Sequence, residues 1–247
     1  MAAAAARTPR AVGFLYPGYS AEDDYPRLEG ILREAGADVR LPLVHTDIGE
    51  DAHRVDALLE MGSAARLAAK VEEVKGHGVQ AVVWACTSAS FVFGWEGAHE
   101  QVNELSATAG LPASSTSFAF AHAVRELGVE RVAVAATYPE DVAELFAAFL
   151  KAAGAEVVAM RGSGIITAAE VGTWGMEEVR RMARAGDHPD AEAVLLPDTA
   201  LHSAAWIPAL EEELGKPVLT ANQVTAFEGL RLLGERVRCP ELGTLFA

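Results

Sequence analysis

The chain has 247 residues and a formal net charge of −15; 51% of it is hydrophobic and only 7% aromatic. That length and apolar content allow one large α/β domain or two small lobes with a sizeable core, and they exclude an overall disordered chain. The acidic balance argues against a nucleic-acid partner, because phosphate binding needs a basic face, and the densest basic group, Arg180-Arg181 with Arg184, reads as a solvated helix face.

The chain opens on Met1 and a short alanine run, with Arg7 and Arg10 after it. That order is wrong for a signal peptide, and residues 1–9 read as a loose tail. No stretch is long and apolar enough to span a membrane. Two cysteines, Cys86 and Cys239, do not make a disulfide scaffold, so a reducing, cytoplasmic setting is expected.

Ala11 to Tyr16 predicts a first strand, closed by Pro17-Gly18 and a polar loop from Tyr19 to Asp24. Tyr25 to Ala35 reads as a helix ending at Gly36, and Asp38 to Leu43 as a strand. Residues 45–62 are mixed and polar, a loop with a short helix. Ala64, Leu67, Ala68, Val71 and Val74 recur at helical spacing and predict a helix over 63–75, ended by Gly76 and Gly78. Val79 to Ala85 is a continuous apolar run, the mark of a strand covered on both faces, and it delivers Cys86. A helix over 97–109 follows, stopped by Gly110-Leu111-Pro112.

The second half repeats this grammar. Helices are predicted over 119–127, 140–153, 176–185, 203–214 and 224–233, and strands over 131–136, 156–160, 193–197 and 217–220. Strands alternating with helices imply mostly parallel, doubly wound sheets. The halves also match in order: Leu15-Tyr16-Pro17 with Thr137-Tyr138-Pro139, and Cys86-Thr87 with Asp198-Thr199. Two lobes of pseudo-two-fold symmetry would bring equivalent strand ends face to face, so that Cys86 and Asp198 flank one cleft.

A thiol is the strongest neutral-pH nucleophile among side chains once it is ionised. Cys86 sits at a strand-to-loop junction, where α/β proteins bind ligands, followed by Thr87 and Ser88, whose hydroxyls and N–H groups can hold a thiolate or a carboxylate. The plainer alternative is a buried core cysteine. Asp198 ends an apolar run, a costly position for a carboxylate unless it faces a cleft or is paired; a loop acceptor or helix cap is its plainer role. Tyr138 could donate its phenol into the cleft or rest on the sheet edge. No dinucleotide, P-loop, nucleophile-elbow or zinc signature is present, which favours a mechanism with no cofactor and no metal.

Several runs together resemble the aspartate/glutamate racemase superfamily, and within it the arylmalonate decarboxylase and maleate cis-trans isomerase branch. They are Val12 to Pro17, Cys86 to Phe91, Leu127 to Tyr138, Asp198 to Leu201 and Leu214 to Gln223. The resemblance implies two pseudo-symmetric α/β lobes with the active site between them, here 10–114 plus a returning 218–247, and 115–217. It implies that Cys86 is the first-lobe catalytic thiol, as proton donor or nucleophile. Asp198 stands where relatives carry a second cysteine and becomes the candidate second acid–base group; decarboxylases of the branch carry glycine first and cysteine second. It also implies a carboxylate-binding set at Thr87, Ser88, Tyr138 and Thr199, with Pro17, Gly18 and Tyr19 as pocket wall. The expected activity is cofactor-independent decarboxylation or isomerisation of a small malonic or maleic type acid. Racemisation with Asp198 as partner base, and a non-catalytic carboxylate binder, are the alternatives. Self-association into a homo-oligomer is left open.

Overall fold

The computed structural model describes residues 10–18 and 20–247; the tail over 1–9 and Tyr19 lie outside the described residues. In chain order the first half holds β1 (Arg10–Pro17), α1 (Asp24–Glu34), β2 (Val39–Arg40), β3 (Leu43–Thr46), α2 (Val55–Met61) and α3 (Ala64–Lys75). It continues through β4 (Ala81–Trp84), α4 (Ser88–Phe91), α5 (Gly94–Ala109), β5 (Ala113–Ser115) and α6 (Thr116–Leu127). The second half holds β6 (Arg131–Ala136), α7 (Glu140–Ala152), β7 (Glu156–Gly162), α8 (Ala168–Val171) and α9 (Met176–Gly186). It ends with β8 (Ala193–Leu196), α10 (Ile207–Leu214), β9 (Val218–Thr220) and α11 (Ala221–Leu232).

The strands form two all-parallel sheets. In the first, β1 lies between β4 and the β2 and β3 strands, and β5 closes the far edge; in the second the order is β7-β6-β8-β9. The order is the same in both, edge strand, leading strand, then the strand that delivers Cys86 or Asp198, as the internal repeat predicts. Both leading strands are apolar on two faces because helices cover both. In β1, Val12 packs on Gly229 of α11 while its neighbour Gly13 packs on Val74 of α3 and on Val79, and a Cβ at Gly13 would lie 2.4 Å from Val74 Cγ2. Alternating residues face opposite ways in a strand, so these contacts place α11 and α3 on opposite sides of the sheet.

Several boundaries differ from expectation, each for a local reason. The predicted strand over 38–43 is two pieces, because Pro42 has no N–H to give; its carbonyl still accepts from Phe14 N at 2.9 Å. The helix expected from Ser203 begins at Ile207, since the Ser203 and Ala204 amides turn instead to the Asp24 carboxylate, at 2.9 and 3.2 Å. The last helix begins at Ala221 rather than 224, where the Thr220 N–H donates to Gln223 Oε1 at 3.0 Å. The expected return of the chain at 218 also moves: β9 belongs to the second sheet, and the chain re-enters the first lobe only with α11, which packs on α1, α6, β4 and β5.

Two polar ties join the lobes. Buried Asp24 receives Ser203, Ala204 and Asn222, and Asn222 Nδ2 also reaches the carbonyls of Thr199 and Leu201 at 3.1 and 3.3 Å. On the other side of the cleft Asp51 accepts from the Ala168 and Ala169 amides at 2.8 and 3.0 Å, while His53 N donates to the Ile166 carbonyl at 2.6 Å. Among the described residues, no helix is long and apolar enough to cross a membrane.

Candidate active site

Four strand ends converge where the sheets face each other. β1 runs into Tyr16-Pro17-Gly18, β4 into Ala85-Cys86, β6 into Thr137-Tyr138 and β8 into Pro197-Asp198-Thr199. Gly18 makes the turn out of β1 possible: its φ is +66°, and a Cβ there would stand 2.8 Å from Ile48 Cδ1. Between these ends lies a cavity of about 20 Å³, room for roughly one water. Cys86, Ser88, Asp198, Thr199 and Pro17 all line it.

Cys86 is 4% exposed, with its Sγ 3.8 Å from Ser88 Oγ. Burial pushes its thiol up to about 12; the Ala89 backbone N–H and the Ser88 hydroxyl work against that rise, and the Asp198 carboxylate adds to it. The resting group is therefore a neutral thiol with a proton to give.

Asp198 has both oxygens engaged. Oδ1 accepts from Ala200 N at 2.8 Å, and Oδ2 accepts from Thr137 Oγ1. These bonds make it the anchor of the turn that presents Thr199. The Thr199 carbonyl takes the Tyr16 hydroxyl at 2.9 Å, and that hydroxyl in turn accepts from Ala21 N at 3.0 Å.

The remaining expected donors divide. Tyr138 is buried behind the cavity and donates to the Pro197 carbonyl at 2.5 Å, so its proton is committed to the turn rather than aimed into the cleft. Burial, with the Asp198 and Cys86 charges adding, raises its phenol well above the ordinary range. Thr87 also lies outside the lining, but its buried Oγ1 has no hydrogen-bond partner among the described residues. Its side chain, with that of Ser88, acts instead on the Tyr138 hydroxyl, against the rise that burial causes there. Gly18 shapes the wall without lining it, and the Tyr19 expectation falls outside the described residues.

The sequence reading missed the cover of the site. Ile48, Asp51, His53, Leu58 and Met61 line the cavity from the polar stretch 45–62 and its short helix, and Ala168 closes it from the other lobe. His53 is 7% exposed; its Nδ1 faces the Ile165 carbonyl at 2.9 Å, and its ring meets Tyr138 edge-on at 4.8 Å between centroids. The wall thus combines a thiol, hydroxyls and an imidazole with the apolar side chains of Ile48, Leu58 and Met61. Among the described residues neither Lys nor Arg lines it, and no group of three or more His, Cys, Asp or Glu could hold a metal.

A family model described as arylmalonate decarboxylase matches residues 61–246. The arylmalonate decarboxylase of Bordetella bronchiseptica is 34% identical over 143 residues, 56% of this chain and 58% of that protein's length. The maleate isomerase of Nocardia farcinica is 30% identical over 182 residues, 71% of this chain and 72% of that protein. A solved structure of a cysteine-to-serine mutant of the Nocardia farcinica maleate cis-trans isomerase, with a covalently bound succinylcysteine intermediate, superposes with a TM-score of 0.81 at 25% identity. That superposition covers 96% of this chain and 98% of that one.

Proposed function

Since the chain belongs to the arylmalonate decarboxylase family, we propose that it is a cofactor-independent enzyme acting on a small dicarboxylic acid, with decarboxylation of an α-substituted malonate as the reaction its site favours. The observation that carries this choice is the neutral, buried thiol of Cys86. Loss of CO2 leaves the bonding pair of the broken C–C bond on the α-carbon, delocalised into an enediolate. Ser88 and Thr199 line the cavity and are the groups available to stabilise that charge; in a water-poor site each such donor contributes a few kcal/mol. Cys86 then gives its proton to the α-carbon, and the thiolate left behind regains one from solvent when the site opens. Asp198 holds the Thr199 turn and raises the thiol. Ile48, Leu58 and Met61 offer the substituent an apolar wall.

Isomerisation is the second reading, favoured by the likeness to the Nocardia farcinica maleate isomerase, a mutant of which holds its intermediate on cysteine. It needs Cys86 as a thiolate that adds to a C=C bond. Two free, buried cysteines suit a reducing compartment such as the cytoplasm. The deciding experiment is a panel of substituted malonates and maleate in D2O. Decarboxylation predicts CO2 release with one deuterium delivered to a single face of the product, and loss of both in Cys86→Ala. Turnover of maleate alone, with a succinyl adduct on Cys86 in the intact mass, would replace it with isomerisation. A Cys86→Ala variant as active as wild type would end both.

A further inference from the structure

An enediolate carries one negative charge more than the carboxylate it grows from, and here it grows beside two carboxyl side chains, Asp51 and Asp198, with neither Lys nor Arg on the described lining. Hydroxyls alone leave that charge without a counter-ion in a space from which water is nearly excluded. Among the described residues, His53 is the one lining residue whose side chain can become positive. Its place is fixed from three directions: Nδ1 on the Ile165 carbonyl, the backbone N–H on the Ile166 carbonyl, and the ring edge-on to Tyr138. A carbonyl only accepts, so Nδ1 carries the proton of that contact and Nε2 is the nitrogen left for a ligand. The titratable groups that share the cavity or its back wall with it are Asp51 on its own loop and Tyr16, Cys86, Tyr138 and Asp198 from the strand ends; its exposed neighbour Arg54 is paired with Glu50 and Asp56, and the segment 165–168 that packs over it brings no charged side chain.

We infer that His53 is a catalytic residue of this site: its imidazole pairs with the carboxylate that becomes the enediolate. The inference deepens the proposed function and rests on it. It also gives the cover of the cavity a chemical task, because His53 belongs to that cover.

The test uses the whole chain and two readouts, decarboxylation of an α-substituted malonate and α-hydrogen exchange of the monocarboxylic product in D2O, since both pass through the same enediolate. His53→Asn keeps a donor near Ile165 and removes Nε2. It lowers kcat for both reactions by about tenfold to a hundredfold, while KM moves less than about threefold and the unfolding midpoint stays put. In His53→Gly, added imidazole restores turnover in proportion to its concentration. An unchanged kcat in His53→Asn, a loss confined to KM, or a His53→Gly variant that imidazole does not restore overturns the role. A wild-type protein that neither decarboxylates nor exchanges any member of the panel overturns the functional reading itself, whereas an active wild type with an indifferent His53→Asn overturns only this inference.

Discussion

Alkylation of Cys86 by iodoacetamide at pH 8 reads the state of the thiol directly. With the thiol pushed up to about 12, the reactive thiolate is roughly one part in ten thousand at that pH. A solvated cysteine is ionised to roughly a quarter under the same conditions. The more basic thiolate is the better nucleophile, and a Brønsted slope near 0.45 over about 3.5 units returns roughly fortyfold. The net retardation is therefore roughly sixtyfold, before the 4% exposure of Cys86 hinders the reagent further. Peptide mapping by mass spectrometry separates Cys86 from Cys239, whose thiol burial also pushes up, to about 11. The rate at Cys86 should climb tenfold per pH unit between 8 and 10, because both values lie well below the ionisation. Alkylation of Cys86 as fast as a free cysteine would refute the argument: it would mean a resting thiolate, and addition chemistry in place of proton donation.

Three further outcomes follow from the geometry. Glu228, buried between Arg231, His122 and Ser114, is held down to about 2 by those partners against the opposing effect of burial, so it supports the fold above about 4.5 and loses that support as pH falls toward 2. Glu228→Gln should therefore unfold at lower urea at pH 7, by about 2–4 kcal/mol, and differ far less from wild type at pH 3. Gly18→Ala meets both a left-handed backbone and Ile48; a loss of about 1–2 kcal/mol in thermal unfolding is expected, and an unchanged midpoint would show that the turn can relax. Asp51→Ala removes the acceptor of two amides across the cleft, and hydrogen exchange at Ala168 and Ala169 should speed up at least about tenfold with little change in β4 or β8.

The strands that build the site were legible because each is an unbroken apolar run between breakers, and their ends marked Cys86 and Asp198. β5 was not: Ala113–Ser115 carries two serines on a buried strand, tolerable only because Ser114 donates to Glu228 at 2.6 Å and Ser115 pairs with Ser90 at 2.8 Å, partners far away in sequence. The helix α4 was hidden for a similar reason, as Ser88–Phe91 is too short to show a period. Tyr138 looked like a donor into the cleft because position alone cannot say where a phenol proton goes; the Pro197 carbonyl decides it. The cover carried no signal at all. Asp51 and His53 sit in a stretch without periodicity, and their conformation is set by amides and carbonyls of 165–169 in the other half of the chain.

The route of the last helix has a consequence for the two halves as separate entities. β9 completes the second sheet, yet the next residues begin a helix that covers the first, and Asn222 at its start touches Asp24 on one side and the Thr199 and Leu201 carbonyls on the other. Whatever the internal repeat says of ancestry, neither half is self-sufficient now: the first would expose its sheet face without α11, and the second would lose the clamp on its Thr199–Leu201 turn. Two fragments divided in the exposed turn at Gly215 should accordingly complement each other in solution, the short one restoring order to a long one that stays incomplete without it.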